Sequence, residues 1–392
     1  MLTPLSRPVR RQILPALAAA VASLLTLAGC AAGPSSAAPE EMTQPQCIGS
    51  GQALTELDLA PDPSDVAGPS TACLLDAHVE AVSSTTTPAL PVTVTDVQGT
   101  SVTVTDASRI LPLDITGAIA ATVFGLGLGD QVVGRDGSTG FPEAVHLPVV
   151  TADGHTLSAE PIIALAPTVV ITDTTLGPRD VIAQLRDAGI PVVIVTKERS
   201  IETVGELVAQ VAAALGVIDT GASLTDRVEN EIDATRAEID AVAPTDVADR
   251  PRILFLYVRG SAGVYYLFGE ESGADSLIRA LDGVDVAGEI GWTGMRPVTA
   301  EALIQAAPDV VLLMTKGLES VDGVDGLLTA VPALAATPAG ENRRFVDMND
   351  TDILSFGPRS AQVLDALARA IYAPEASGPV AGAAGDSGES SE

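Results

Sequence analysis

Apolar and polar positions alternate in two separate stretches of the chain, each with helical and strand-like periods. From 110 to 195, the helical pattern ITGAIAATVFGLGLG precedes the short strand pattern QVVG, then EPIIALAPTVVITD predicts a helix and a buried strand, and RDVIAQLRDAG and IPVVIV predict another pair. The alternation returns from Arg252 and ends with the helical pattern SAQVLDALARAIYA. Helices and strands that alternate at this spacing predict two Rossmann-like parallel α/β lobes.

The segment between the lobes has a helical period, and the segment before them has none. Residues 201–243 predict a helical connector with a turn near Gly216, and PVTVTDVQGTSVTVTD predicts a hairpin that leads into the first lobe. The predicted organisation is a signal peptide at 1–29, a largely disordered tether at 30–88, an N-terminal α/β lobe with its hairpin at 89–197, the connector at 198–249, a C-terminal α/β lobe at 250–373 and a disordered tail at 374–392.

One motif occurs in both lobes. SAEPIIALAPTVV and TAEALIQAAPDVV align when Glu160 is placed on Glu301, and they share further Ala, Ile, Pro and Val positions. The first copy follows His155, one of only three histidines in the chain, and the second copy has no histidine before it. The lobes are therefore expected to be duplicates, with different chemistry at one position.

The N-terminus predicts export and a lipid anchor. It has a basic start and an apolar run from Ile13 to Leu27, the pattern of a signal peptide. The sequence Leu-Ala-Gly-Cys that follows resembles the lipobox of bacterial lipoproteins, which would make Cys30 the lipidated residue; the alternative is an ordinary secretory signal with a chance cysteine. Cys47 and Cys73 remain, and in an oxidising compartment they are expected to form a disulfide, with two free thiols as the alternative.

Composition excludes several classes of function. The formal net charge is −30 and only 3% of residues are aromatic, which disfavours binding to nucleic acid or to anionic lipid by charge. Three scattered histidines form no zinc or manganese cluster, and no nucleophile is accompanied by a base. We therefore expect a binding protein and not an enzyme.

Short motifs narrow the class of ligand. Val-Val-Gly-Arg-Asp at 132–136, Gly-His-Thr-Leu at 154–157 and Tyr-Val-Arg at 257–259 resemble those of the haem-binding lipoproteins of actinobacterial haem importers. These belong to the helical-backbone class of substrate-binding proteins, which serves ABC importers of iron chelates, haem and cobalamin. The resemblance implies that His155 and Tyr257 ligate haem iron from opposite lobes, and that Arg259 supports the tyrosine.

The residues are chemically suited to that role. Tyr257 ends an apolar strand pattern and His155 lies in a loop before a helix, and ferric haem accepts phenolate and imidazole as axial ligands. Side chains two positions apart on a strand share a face, so the cation of Arg259 would favour the phenolate of Tyr257. The alternatives are a histidine that caps the next helix and a tyrosine of the core. His146 lacks the Gly-His context and is a weaker candidate.

Further residues are assigned from chemistry and from the resemblance. A flat apolar ligand needs aromatic and flexible walls and a cation for each propionate. The resemblance implies that Glu160 and Glu301 dock one permease subunit each; the alternative is that they only stabilise helix N-termini. The candidates for the walls of the haem pocket, each of which could equally belong to the core, are Tyr265, Tyr266, Trp292, Met295 and Phe356. Arg296 could bind a haem propionate or instead pair with an acidic surface.

The predicted function is capture of haem b by a monomer on the extracytoplasmic face of a Gram-positive actinobacterial membrane. Its partners would be the permease dimer of an ABC importer, the ATPase of that importer and the membrane itself through Cys30. The alternatives are a ferric siderophore or cobalamin as the ligand, which require no iron ligand from the protein, and an extracellular enzyme or adhesion module.

Overall fold

Fourteen strands are present in the computed structural model, which describes residues 47–49, 51–152 and 154–378. The predicted signal peptide, Cys30 and most of the predicted tail lie outside the described residues. The strands are β1 (Ser70–Ala72), β2 (Val92–Thr95), β3 (Ser101–Val104), β4 (Ile110–Leu113), β5 (Thr151–Ala152), β6 (Thr156–Leu157), β7 (Val169–Thr172), β8 (Val192–Ile194), β9 (Arg252–Arg259), β10 (Val264–Phe268), β11 (Val284–Asp285), β12 (Met295–Pro297), β13 (Val310–Met314) and β14 (Phe345–Met348).

Twelve α-helices accompany these strands in the described part of the chain, and no helix there is both long and apolar enough to span a membrane. The helices are α1 (Ala118–Gly125), α2 (Ala159–Ala164), α3 (Asp180–Asp187), α4 (Val204–Ala214), α5 (Ile218–Val242), α6 (Ala274–Ala280), α7 (Val286–Glu289), α8 (Ala300–Ala306), α9 (Thr315–Glu319), α10 (Gly323–Ala330), α11 (Pro338–Glu341) and α12 (Ser360–Tyr372).

The N-terminal lobe is built on a parallel sheet with the strand order β4-β7-β8. Every residue of these strands is buried, as expected for a parallel sheet that is covered on both faces. The hairpin of β2 and β3 precedes this sheet, as the alternation predicted. The predicted strand QVVG is wrong: Val132 makes only an isolated bridge to Ile110, after a 3-10 turn at Gly129–Gln131.

The C-terminal lobe has a seven-stranded sheet that is mixed and not purely parallel. Its order is β1-β14-β13-β9-β10-β12, with β11 paired to β9. Strand β10 runs antiparallel to β9 because only a four-residue turn joins them, and a parallel partner needs a long crossover. Gly263 ends this turn with a φ of 63°, a conformation that a glycine adopts without steric cost.

The described part of the segment predicted as a tether is instead packed against both lobes, since Val79 packs on α1 and the Val82 amide donates to the carbonyl of Gly125 in the N-terminal lobe. Strand β1 forms the edge of the large sheet, parallel to β14, and Leu54 and Leu74 are buried in the main core. A disulfide joins Cys47 to Cys73, as expected. The prediction of disorder is therefore wrong for the described part of 30–88, because its sparse apolar residues cover a sheet edge that would otherwise be exposed.

Arg344 holds this segment in place. Its side chain is fully buried and donates hydrogen bonds to the carbonyl of Gly68, the hydroxyl of Ser70 and the carbonyls of Ala370 and Ile371. The guanidinium thus joins the start of β1 to the end of α12. Buried donors and acceptors without partners are costly, so this contact specifies where the segment lies.

A buried ion cluster marks the junction between the N-terminal lobe and the connector. Arg199 Nη2 lies 2.6 Å from Asp173 Oδ2 and 3.3 Å from Asp114 Oδ2. These aspartates follow β7 and β4, and the Asp114 carboxylate accepts hydrogen bonds from the amides of Ala118 and Ile119 in α1. Arg199 therefore fixes two strand ends and a helix at the point where the chain leaves the lobe.

Asp136 extends the cluster toward a small hairpin. Its Oδ2 accepts a hydrogen bond from the Asp114 amide, and the next amide, of Gly137, donates to Thr151 Oγ1 on β5. Burial raises the pKa of Asp136 to about 7, and repulsion from the Asp114 carboxylate adds to the shift. The hairpin of β5 and β6, which carries His155 in its turn, is thereby attached to the carboxyl edge of the sheet.

We expect Arg344→Met to lower the free energy of unfolding by about 3 kcal/mol, because it leaves several buried carbonyls without a donor. Urea unfolding followed by circular dichroism measures this change. Arg343→Met is the matched control, since the neighbouring side chain is half exposed and pairs with an exposed Asp325. Equal stability of the two variants would contradict the role assigned to Arg344.

Candidate functional site

Tyr257 lies on a layer of aromatic rings at the carboxyl end of β9. Residues 253–256 of this strand are buried, and Tyr257 is half-buried. Tyr266 of β10 is directly opposite, with ring centroids 6.4 Å apart, and the ring of Phe268 is 6.0 Å away. Phe255 stacks on Phe268 at 5.0 Å and completes the layer. Packing on both strands makes Tyr257 a rigidly placed phenol.

Arg259 shares this face because alternate residues of a strand point the same way. It is exposed at the end of β9, two residues beyond Tyr257. Met295 of β12 pairs with Phe268 and is also exposed on this side of the sheet. The face that carries Tyr257 therefore combines a phenol, a guanidinium and a flexible thioether.

Three of the predicted pocket residues lie on the opposite side of the same strands. Tyr265 is adjacent to Tyr266 and packs with Trp292 against the second core of the C-terminal lobe. The Trp292 indole donates to the carbonyl of Leu267 at 3.1 Å, and the Arg296 guanidinium lies 4.5 Å from the centre of the Trp292 ring. A cation–π contact thus engages Arg296 away from Tyr257.

Phe356 is a core residue. It is buried within the main cluster of apolar side chains, beside the Cα of Gly273. Its ring is enclosed by protein, which favours the alternative that it belongs to the core over the prediction that it forms a wall of a pocket. The short stretch Ile353-Leu354-Ser355-Phe356 has no clear period, so the sequence did not indicate which side the ring would face.

His155 occupies the turn of the hairpin formed by β5 and β6, and its side chain is exposed. Its carbonyl accepts a hydrogen bond from the Gly177 amide, and the Gly177 carbonyl accepts one from Leu157, so the loop before α3 supports the turn. The N-cap position of α2 is Ser158, which excludes His155 as the cap of that helix. The imidazole is therefore displayed on a supported loop.

The two lobes meet electrostatically at His155. The pKa of its imidazole is lowered, first because neighbouring protein atoms partly desolvate the ring although it remains exposed, and second because the Arg259 guanidinium repels the protonated form. Arg259 belongs to the C-terminal lobe and His155 to the N-terminal lobe. The charge of Arg259 therefore favours the neutral imidazole that a metal requires.

The other two histidines have different surroundings. His78 Nδ1 lies 2.6 Å from Glu143 Oε1, so it links the N-terminal segment to the loop before β5. His146 is exposed in that same loop. His155 is thus distinguished from both by its interaction with the opposite lobe.

The repeated motif has the same structure in both lobes. Glu160 and Glu301 each lie in the first turn of a short helix, α2 or α8, and both are exposed. An alanine with positive φ follows each helix, 46° at Ala166 and 41° at Ala307. Both helices begin at the carboxyl edge of their sheet, because each runs back before a parallel strand.

In each copy of the motif, an arginine binds the carbonyls at the end of the short helix. The guanidinium of Arg109 donates to the last carbonyls of α2, and that of Arg252 donates to the last carbonyls of α8. Satisfying these carbonyls stabilises the helix end and joins it to the start of β4 or β9. The sequence alignment missed these two residues because they lie far from the repeated motif.

The register of the strands identifies which residues are equivalent in the two lobes. Ile110 pairs with Val169 in one lobe, and Ile253 pairs with Val310 in the other. Counting along β4 and β9 from these pairs places Asp114 at the position of Tyr257. Counting back from the aligned glutamates places Arg296 at the position of His155. The two lobes therefore carry different residues at both of these equivalent positions.

Comparison with known proteins gives a consistent set of relatives. The family model for periplasmic binding proteins matches residues 115–351. A protein of Bacillus subtilis (strain 168), named as the uncharacterised ABC transporter substrate-binding lipoprotein YvrC, is 24% identical over 293 residues, which cover 73% of this chain and 87% of that protein.

Solved structures are also similar. The haem-binding protein HmuT matches with a TM-score of 0.75 and 40% identity, over 79% of this chain and 99% of that one. The periplasmic haem-binding protein RhuT from Roseiflexus sp. RS-1, in its apo form, matches with a TM-score of 0.62 and 39% identity, over 69% of this chain and 99% of that one. HmuT has also been crystallised with a histidine, a tyrosine or an arginine replaced, the last two being two positions apart.

We expect Arg259→Ala to raise the pKa of the His155 imidazole, because the variant removes a positive charge that disfavours protonation. Protonation of His155 should then begin at a higher pH as the solution is acidified. Imidazole signals in NMR spectra across a pH series measure this shift, and the chain has only three histidines to assign.

Two further variants control this measurement. Arg259→Lys retains the charge and should leave the His155 titration close to that of the wild type. Arg236→Ala removes an exposed arginine from α5 and should have no effect. An unchanged His155 titration in Arg259→Ala would show that the two lobes do not interact at this point.

Proposed function

Because the chain belongs to the periplasmic binding protein family, we propose that it captures haem b between its two lobes and delivers it to an ABC importer for iron acquisition. The observation that supports this most strongly is the strand face that carries Tyr257, Tyr266 and Arg259, whose charge also lowers the pKa of His155 in the other lobe. Relatives that cover most of the chain are named as haem-binding proteins, and the family and these neighbours are binding proteins and not enzymes.

His155 and Tyr257 are the proposed axial ligands of the haem iron. Imidazole must be neutral to bind iron, and the charge of Arg259 favours that form at His155. The same guanidinium shares a face with Tyr257, where it would stabilise a negative phenolate. Arg259 is therefore the proposed supporting residue for both ligands, through its charge at His155 and its place on the strand face of Tyr257. The replaced histidine, tyrosine and arginine of HmuT match this set in residue type and in the spacing of the last two.

The porphyrin would lie against the face of β9 and β10 that carries Tyr257. Tyr266 and Met295 are on this face and provide aromatic and flexible apolar surface. Tyr265, Trp292 and Arg296 lie on the other side of the strands, so we leave them out of the proposed contact set. A siderophore or cobalamin would use none of the iron ligands proposed here. Ligation of iron by His155 and Tyr257 therefore distinguishes haem from these two alternative ligands.

Titration with hemin should produce a saturable change in the Soret band at one haem per protein. His155→Ala and Tyr257→Ala should each shift the band and weaken binding by tenfold or more, since each removes an axial ligand. His146→Ala and Tyr265→Phe are matched controls, because the first is an exposed loop histidine and the second faces the opposite core. A titration without saturation, or one unaltered by losing both ligands, would refute haem ligation.

Glu160 and Glu301 are the proposed docking residues for the importer. They occupy equivalent exposed positions in the two lobes, and neither lies at the positions that carry the proposed ligands. A pair of equivalent acids suits a permease dimer with a basic pocket on each subunit. We further propose that the protein acts as a monomer, anchored through Cys30 to the extracytoplasmic face of an actinobacterial membrane. The ATPase of the importer would lie on the other side of that membrane.

Replacing both glutamates with alanine should leave the Soret titration unchanged and abolish haem-dependent growth under iron limitation. Each charge pair buried in the complex is worth ~2 kcal/mol or more, and arginine at these positions should be worse because it repels the basic pocket. A double alanine variant of Glu206 and Glu341 is the control, since both also lie in the first turns of helices. Normal growth of the Glu160 and Glu301 variant would refute the docking role.

A further inference from the structure

Each copy of the repeated helix presents an isoleucine that the fold does not bury. Ile163 on α2 is 41% exposed and Ile304 on α8 is 59% exposed. The neighbouring positions, Ile162 and Leu303, are fully buried in the two lobes. The core-facing side of each helix is therefore already occupied, and the exposed isoleucine is an additional apolar residue.

These isoleucines adjoin the proposed docking acids. Ile163 is three residues after Glu160, and Ile304 is three residues after Glu301, so each pair shares one face of its helix. Single exposed apolar side chains are common on protein surfaces and need no explanation. Here the acid and the isoleucine recur together at equivalent positions of the two lobes, although the lobes differ at the positions of His155 and Tyr257. This recurrence distinguishes the two isoleucines from single exposed apolar side chains.

We propose that Ile163 and Ile304 are docking residues that enter two equivalent apolar pockets on the permease dimer, each beside the cation that receives the adjacent glutamate. This inference rests on the proposed function and adds a second kind of contact to it. A desolvated apolar contact beside an ion pair excludes water from that pair and strengthens it. The isoleucines thus supply affinity, and the acids supply orientation.

Charge distinguishes the permease from other occupants. A second copy of this chain would place one acid against another, in a protein with a formal net charge of −30. An anionic lipid surface would meet the same repulsion, since surface-binding segments require basic residues around their apolar ones. A protein partner with two basic pockets complements both the sign and the duplication of this surface.

The test is uptake of iron-labelled haem by cells in which the native gene has been replaced. Ile163→Ser and Ile304→Ser should each reduce uptake several-fold, and the double variant should reduce it at least tenfold, as for the two glutamates. Hemin titration and the urea unfolding midpoint of the purified double variant should match those of the wild type. Leucine at both positions keeps an apolar side chain and should restore uptake.

The control is the double variant Ile218→Ser and Val247→Ser. These residues are 65% and 62% exposed, but they lie within the connector, the first at the start of α5 and the second in a 3-10 turn after it, and they have no counterpart in a repeated unit. Their replacement removes at least as much exposed apolar surface and should leave uptake unchanged. A loss equal to that of the Ile163 and Ile304 variant would overturn the proposal, because any loss of surface apolarity would then have the same effect.

Other outcomes overturn it in distinguishable ways. Normal uptake by the Ile163 and Ile304 variant, with uptake lost in the glutamate variant, would show that the acids dock alone. Normal uptake by both variants would place the docking surface elsewhere. A wild-type dimer in sedimentation that the serine variant dissociates would identify a second copy as the occupant. Failure of the wild type to bind hemin would refute the proposed function, which the titration reveals before any uptake is measured.

Discussion

The buried contact of Arg199 with Asp173 and Asp114 is the interaction on which the geometry of the cleft depends. It holds the carboxyl ends of β4 and β7 against the first residues of the connector, and through Asp136 it is linked to the hairpin that displays His155. The connector leaves this cluster and contacts the C-terminal lobe at once, where the Ile201 amide donates to Ser276. One continuous set of polar contacts therefore joins the hairpin of His155 to the N-terminal sheet, to the connector and to α6 of the C-terminal lobe.

A duplicated frame that carries unequal residues at two positions would let one protein bind an asymmetric ligand and dock on a symmetric partner, as we propose. The shared features are the short helix, its closing arginine at 109 or 252 and the exposed acid and isoleucine. The unequal residues are Asp114 and Tyr257 at one pair of equivalent positions, and His155 and Arg296 at the other. The repeated helices are thus alike, although the sheets behind them differ in the number and direction of their strands.

The alternation of helices and strands was sufficient to predict both lobes, because buried parallel strands are continuous apolar runs. The apolar run before Tyr257 also predicted that this residue lies near the end of a strand. Separating Tyr265 from Tyr266 required the register of β9 and β10, since a shift of one residue moves every side chain to the other face. Strand β1 was missed because Ser-Thr-Ala carries no strand signal of its own and depends on Arg344 and β14, which are remote in sequence.

The position of β1 also determines the order in which the molecule can assemble. Thr71 pairs with Asp347 across 276 residues, whereas the strands of the N-terminal lobe all lie between 110 and 194. Contacts that span most of the chain form late, because the loop they close is long. The N-terminal lobe can thus complete its sheet while the chain is still being synthesised or exported. The C-terminal lobe must wait for β14, with β1 held as an unpaired strand until then.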